Sequence, residues 1–340
     1  MPIPWFRQFE KADTPKSTLH GESQPFVSYY DDPETEYRRA REQAILIDTS
    51  FYGTLQLQGR HTLSLLHRLT TQDIQNMTSN TVQQTVLTSD RGRIVDLLRV
   101  FHGDQSTTLR TSAERSATIA QWLDKYIIMD DVRINDISDS ISSVFLMGPH
   151  AAQTLKQIGI TIPDTNVFLK EGDIIYTQCA AYPNNGFEFF GPTSVIEALC
   201  EKLLPLAQPC GRMTYETVRI EDAIPAYHFE LSENYNPLEA GLVGAISFTK
   251  GCYIGQEVIA RLDSREKVQR QLITFKTEKE VAYADKVFWG NKEIGLITGA
   301  CYSYRHRSPI ARAYVKTDSL TDDTAFVVMS GSEKVTAARI

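Results

Sequence analysis

No run of apolar residues in this sequence approaches the roughly 18 that a membrane-spanning helix requires. The opening stretch, MPIPWFRQFEKADTPKS, has no apolar core of signal-peptide length. Neither a membrane nor an exported protein is expected, and a cytoplasmic location is. Cysteine is scarce: Cys179, Cys200, Cys210, Cys252 and Cys301 are five, an odd number, with no Cys-x-x-Cys pair. A disulfide scaffold is excluded, and most of these thiols read as small core residues of a reducing compartment. The seven histidines show no metal-ligand spacing, so no metal site is expected. Also missing are a phosphate-binding G-x-x-x-x-G-K-[ST] loop, a dinucleotide G-x-G-x-x-G and a G-x-S-x-G nucleophile elbow. Positive charge is in short supply: 35 Lys plus Arg against 42 Asp plus Glu leave a net charge of −7. Direct coating of a nucleic acid, which rests on neutralising phosphates, is not expected. A small basic pocket for a polyanionic ligand is still compatible with that balance.

What is present is an ordinary globular composition, 42% apolar and 23% charged over 340 residues, enough for two domains. Residues 1–36 mix Pro, Ser, Thr and acids with aromatics and read as an irregular leader packed over the surface. Asp31-Asp32-Pro33 should open a helix through Arg41. TLQLQ alternates like a half-buried strand, and Leu63, Leu66 and Leu69 recur at helical spacing. TVQQTVLT and RIVDLLRVF are strand-like runs joined by Asp90-Arg91-Gly92, a hairpin signal. Ile119, Trp122, Leu123 and Tyr126 mark one face of a helix. A second unit repeats the theme: SSVFLMG as a strand and a helix opened by Gly148-Pro149 and capped by Gly159. DIIYTQCAAY and FEFFG then flank the turn Asn184-Asn185-Gly186, followed by a helix from Thr193 to Leu204. These are two α+β units without visible sequence repetition.

Beyond about residue 266 the texture changes. QLITFK, KVFWG, EIGLIT, ARAYV, AFVVMS and KVTAARI are short strand-like runs separated by turns, the pattern of a small barrel or sandwich. The expected organisation is a leader over 1–36, an α+β domain over 37–265 and a β domain over 266–340.

The densest chemistry lies in KGCYIGQEVIAR, residues 250–261. Two glycines within five residues imply a tight turn, and GQEVIARL reads as a helix opening. A cysteine ahead of a helix N-terminus and beside a lysine sits in a positive field that raises its thiolate fraction. The competing reading is that Cys252 is a small residue filling a turn. Arg305-His306-Arg307 falls in an expected loop, where it either guides a polyanion or simply solvates a surface.

KGCYIGQEVIAR closely resembles the signature of the YgfZ family, folate-binding relatives of the aminomethyltransferase (T-protein) of the glycine cleavage system. The resemblance runs from about Ala44 to Ile340. It includes FYGTLQLQGRHTLSLLHRLTTQDI, LTSDRGRIVDLLRVF, NNGFEFFGP, VRIEDAIP and NPLEAGL, in the expected order. It implies a three-lobed folate-binding domain followed by a small C-terminal β-barrel, and tetrahydrofolate or a related reduced folate as cofactor. It further implies an accessory role in the maturation or repair of iron–sulfur proteins, with an effect on tRNA modification. The partners implied are iron–sulfur client proteins or assembly factors, for a chain expected to be monomeric and without ordinary turnover.

Carried over by position, Cys252 is the acting thiol and Lys250 stabilises its negative charge. Glu188 is the carboxylate that accepts from the pterin N–H groups, Tyr182 walls the ring, and Arg219 fixes the pterin or an adjacent carboxylate. Residue by residue, each also has a plainer role: a solvated strand glutamate, a core aromatic, a helix salt bridge with Glu216 or Asp222. Three departures separate the chain from the transferases. Their proton-handling aspartate is Leu97 here, with Asp96 one place earlier and facing the other way unless a bulge intervenes. Their Val-Asn-Ala turn reads Arg110-Thr111-Ser112. Cys252 stands where an aspartate is common. The alternative function, folate-dependent aminomethyl transfer, would need Asp96 turned inward.

Overall fold

The computed structural model describes residues 2–179, 186–264, 268–320 and 325–340. Two compact units emerge, the first made of Met1–Leu87 and Asp96–Tyr215, the second of Thr88–Val95 and Glu216–Ile340.

In the first unit the leader is more than a surface wrap. Residues Pro4–Phe9 form a 3-10 helix, and Ile3, Trp5 and Phe6 are buried among Leu46, Leu146, Phe187 and Phe189. Three aromatic or branched side chains exceed what a polar surface path would need, and the core takes them. Strands β1 (Lys16–Ser17) and β2 (Phe26–Val27) pair briefly before α1 (Pro33–Glu42). Asp32 caps that helix by accepting from the Thr35 N–H at 2.9 Å, with Pro33 in its first turn. Fully buried Glu36 then ties the leader down. It accepts from the N–H groups of Tyr30, Asp31 and Gly211 and from the Thr214 hydroxyl, at 2.6–3.0 Å.

Next come β3 (Ile45–Asp48), β4 (Tyr52–Gln58), α2 (Thr62–Leu69), β5 (Thr81–Thr88), β6 (Ile94–His102) and β7 (Thr107–Ala113). Helix α3 (Ser116–Asp124) and β8 (Arg133–Asp136) follow, and β5-β6-β7-β4-β8 form a five-stranded sheet. The second half of this unit supplies β9 (Ile141–Met147), α4 (Ala151–Gln157), β10 (Phe168–Glu171), β11 (Ile174–Cys179) and β12 (Gly186–Pro192). Helix α5 (Thr193–Leu203) and the short β13 (Gln208–Pro209) complete a six-stranded sheet ordered β10-β11-β12-β9-β3-β13. Helix α6 (Arg212–Glu221) leads out of the unit. Alternation along GFEFF decides the packing of β12. Phe187 and Phe189 enter the core under α5, while Phe190 joins Phe101, Phe168 and Val82 on the opposite side. Burial of each such ring contributes roughly 1.5–3 kcal/mol.

In the second unit α7 (Gln256–Ser264) precedes six strands that close a barrel in the order β14-β17-β16-β15-β18-β19. These are β14 (Arg270–Thr277), β15 (Lys286–Trp289), β16 (Lys292–Ser303), β17 (Ser308–Lys316), β18 (Ala325–Ser330) and β19 (Glu333–Arg339). Each contains one of the six strand-like runs of the tail, to within a residue at the run's end. Phe275, Ile294, Ile297, Val315, Phe326, Val328 and Val335 fill the interior. Gly295 lies against the Tyr314 carbonyl, where a Cβ would come within 2.1 Å, so the β16–β17 pairing there requires glycine. Among the described residues no helix is long and apolar enough to cross a membrane.

Candidate functional site

Strand register assembles the charged centre of the first unit. Arg99 of β6 sits directly opposite Arg110 of β7, which places both side chains on one face of the sheet. Glu188 of β12 meets them. Its Oε1 accepts from Arg99 Nη2 at 2.9 Å and Arg110 Nε at 3.2 Å, and its Oε2 accepts from Arg99 Nη1. Arg110 is committed on every side. It donates to Thr54 Oγ1, to Ser143 Oγ at 2.7 Å and to the Tyr52 carbonyl at 3.4 Å, and it lies 5.1 Å from the Phe190 ring centroid. Arg99 is engaged less fully: apart from Glu188 it donates to Cys179 Sγ at 3.9 Å, stands over Tyr52 and keeps an edge exposed.

Burial would push Glu188 up, but the two guanidiniums outweigh it and hold the carboxyl below its usual range. Burial likewise depresses both arginines. For Arg99 the attraction of Glu188 wins and the net direction is upward; for Arg110 burial prevails and the direction is downward. The three groups stay ionised with one positive charge in excess. Neither Arg99 nor Arg110 emerged as a candidate from the sequence. Arg99 between the apolar residues Leu98 and Val100 of a strand was the available signal, because such a charge must find a partner.

Residues Arg110-Thr111-Ser112, expected in a turn, belong to β7. A bulge lies here: Tyr52 pairs with Ala113 and Gly53 with Thr111, leaving Ser112 as the extra residue. The bulge turns Ser112 toward Asp96, whose carboxylate accepts both its N–H, at 3.2 Å, and its hydroxyl. Asp96 is wholly buried, and burial lifts its pKa to about 6 against the pull of the Ser112 bonds and Arg115. This bulge lies in β7 and brings a serine to Asp96 rather than turning Asp96 inward.

Glu188 has no free acceptor face for a pterin edge in this arrangement. The planar pair of N–H donors such an edge would bring is already supplied by Arg99. The residues as placed do not fit a pterin held on Glu188. Tyr182 lies outside the described residues.

The remaining candidates belong to the second unit. Arg219, on α6, is buried: its Nε donates to Glu216 at 2.7 Å, its Nη1 to Glu230 and the Ile224 carbonyl, each at 2.9 Å. The Glu216 bridge exists, buried rather than on a helix surface, and its further partner is Glu230 rather than Asp222. Asp222 and Glu221 pair instead with Arg305, so the Arg305-His306-Arg307 turn is partly neutralised.

Cys252 is exposed, in the turn that precedes α7. That turn is held by close backbone approach. Gly255 has φ +82°, and a Cβ there would come within 2.5 Å of the Ser89 carbonyl and 2.8 Å of Gly92 Cα. Gly92, at φ +65°, meets it from the hairpin tip, and Thr88 Oγ1 donates to the Ile254 carbonyl at 2.6 Å. Both glycines are therefore demanded by conformation and by space. The Lys250 ammonium lies 5.0 Å from the Tyr253 ring centroid. Helix α7 begins four residues beyond Cys252, and a helix field fades within about one turn, so little of it reaches the thiol. Cys200 and Cys210 are buried, and burial raises both thiols; Cys301 is pushed up to about 12, by burial and then by Glu221. No group of three His, Cys, Asp or Glu among the described residues is arranged to hold a metal ion.

Two sheets that meet at an arginine–glutamate centre, followed by a closed six-stranded barrel, define a two-domain α+β protein. The chain belongs to the GCVT N-terminal domain family, whose model matches residues 7–250, and residues 270–340 match the glycine cleavage T-protein C-terminal barrel domain. It is similar to the aminomethyltransferase of Thermoanaerobacter pseudethanolicus, 26% identical over 297 residues, 83% of this chain and 80% of that protein. That of Exiguobacterium sibiricum is 28% identical over 316 residues, 90% and 87% of the two chains. The crystal structure of the glycine cleavage system aminomethyltransferase T from Bartonella henselae superposes with a TM-score of 0.88. It covers 99% of this chain and 96% of that one at 18% identity, a likeness of fold.

Proposed function

We propose that the chain is an accessory member of this family, supporting maturation or repair of iron–sulfur proteins through Cys252, and not an aminomethyltransferase with ordinary turnover. One observation carries the reading. The acid that transfer chemistry needs has no free counterpart in β6: Leu97 holds the position, and the Asp96 carboxylate is buried and spent on Ser112. A group engaged in that way cannot shuttle a proton to a substrate without breaking two bonds in a water-poor site. What does stand open to a partner is Cys252, on a turn fixed by two glycines, with Lys250 two residues before it. The partners proposed are iron–sulfur clients or assembly factors, and an effect on tRNA modification follows where the client is a tRNA-modifying enzyme. A reduced folate is the cofactor class the resemblance assigns, although Glu188 as placed does not offer it an anchor.

The second reading, folate-dependent aminomethyl transfer, is favoured by the names of the relatives. The two separate in one assay, in which the purified chain is given tetrahydrofolate and an aminomethyl donor. Methylene-tetrahydrofolate should not accumulate above the protein-free rate; multiple turnovers would establish the transferase reading instead. The thiol's part is read in cells lacking the protein, where Cys252→Ser should fail to restore iron–sulfur enzyme activity. Full restoration by that variant would remove Cys252 from the mechanism.

A further inference from the structure

We propose that Arg99 is a specificity-determining residue of the Glu188 site: it occupies the carboxylate with its own planar N–H fork and excludes ligands that would bring the same fork. The two arginines are unequally committed. Arg110 is buried and distributes its donors among Glu188, Thr54, Ser143 and the Tyr52 carbonyl, so it has nowhere else to go. Arg99 depends on Glu188 for both of its terminal nitrogens, has among the described residues only a distant sulfur acceptor besides, and reaches solvent along one edge. Removing Arg99 would therefore leave Glu188 ionised, because Arg110 still neutralises it, and would free an acceptor pair on a face lined by the Tyr52 ring.

A free carboxylate of that kind takes a planar ligand carrying two parallel N–H donors: a guanidine, an amidine, or the amino-pyrimidinone edge of a pteridine. Charge acts in the same direction. With both arginines present the centre already carries an excess positive charge, so a cationic fork is repelled as well as sterically preceded; with one, the pair is neutral and a neutral fork is matched. The inference concerns Glu188 alone and is independent of the role proposed for Cys252.

Fluorescence anisotropy with pterin as probe tests it on the full chain. Arg99→Met should bind pterin at least roughly tenfold more tightly than the parent, since a charge-assisted bidentate contact becomes available. The gain should vanish in Arg99→Met combined with Glu188→Gln, and lumazine, whose ring has no 2-amino group, should show no gain. Arg99→Lys retains a positive charge beside Glu188 without the planar fork, and a smaller gain there reads the fork separately from folding. If pterin affinity is unchanged in both Arg99 variants, survives Glu188→Gln, or rises equally for lumazine, the proposal is wrong.

Discussion

Arg99 and Arg110 in the first unit share a single glutamate, whereas Arg219 and Arg312 in the second have two, Glu216 and Glu230. By charge count the second cluster is the better balanced. By geometry it is not. Glu230 spends Oε2 on Arg219 and the Ala226 N–H, while Oε1 accepts from Thr298 at 3.4 Å and lies 4.0 Å from Arg312. The Nε and Nη1 atoms of Arg312 are buried with no hydrogen-bond partner, and burial drives that guanidinium's pKa down. In the first unit one carboxylate serves two guanidiniums because neutral acceptors on β4 and β9 absorb the rest of Arg110. Charge balance and hydrogen-bond satisfaction are separate requirements, and a buried ion pair is stabilised only when both are met.

The largest effect should come from removing the shared anion. Glu188→Ala leaves the buried Arg110 guanidinium and the half-buried Arg99 guanidinium facing each other and should cost roughly 3–5 kcal/mol in urea denaturation. Glu230→Ala leaves Glu216 in place against Arg219 and should cost less, about 1.5–3 kcal/mol. Equal costs would mean that the two clusters are energetically alike, whatever their geometry.

A buried carboxylate of the neighbouring sheet with no guanidinium hydrogen-bonded to it in the described residues should behave oppositely with pH. Asp96 has a folded pKa of about 6, above the value near 4 of an unfolded aspartate. Between those values the folded state holds the extra proton, so stability falls as pH rises from about 4 through about 6 and stays lower above. Glu188, held below its usual range, contributes stability that is lost only as pH falls through its depressed folded value. Asp96→Asn keeps an acceptor for Ser112 and should be about 1–2 kcal/mol more stable than the parent at pH 7–8, with the advantage gone below pH 4. Thermal melts across that range would read it. A flat difference would show that the burial of Asp96 carries no proton linkage.

The smallest change is expected at Arg312. Its orphaned donors make Arg312→Met neutral or stabilising, within about 1 kcal/mol, because the desolvation cost goes with the charge while the packing volume is kept. A loss above about 2 kcal/mol would mean that Arg312 is better satisfied than its geometry shows.

Elements with local signals were legible in the residues themselves. The cap at Asp32-Pro33, the helices around Leu66 and Leu199, the Gly92 hairpin and all six barrel runs lie where periodicity and turn chemistry place them. The burial of the leader was not legible because Ile3, Trp5 and Phe6 are too short a run to show a period, and it depends on a core built from residues far along the chain, among them Leu46, Leu146 and Phe189. The serine bulge was hidden for a related reason. A bulge exists only relative to a partner strand, and nothing in TTLRTSA announces that Tyr52 and Gly53 will pair two residues apart on it.

Of the candidate site, the sequence by itself marked the turn around Cys252, since Gly255, in the left-handed region, and the helix start after it are local signals, while the approach of Gly92 and Ser89 that fixes it is not. It also determined that Glu188 alternates with core phenylalanines and that Leu97 holds no acid. Only the tertiary structure decided what those groups do. Register across β6 and β7 aligned two arginines distant in sequence, Arg99 and Arg110, and β12 brought one carboxylate to both. Strand pairing sums contacts between residues distant in sequence, whereas propensity and periodicity are properties of neighbours, so the occupant of Glu188 became visible only when the sheets were assembled.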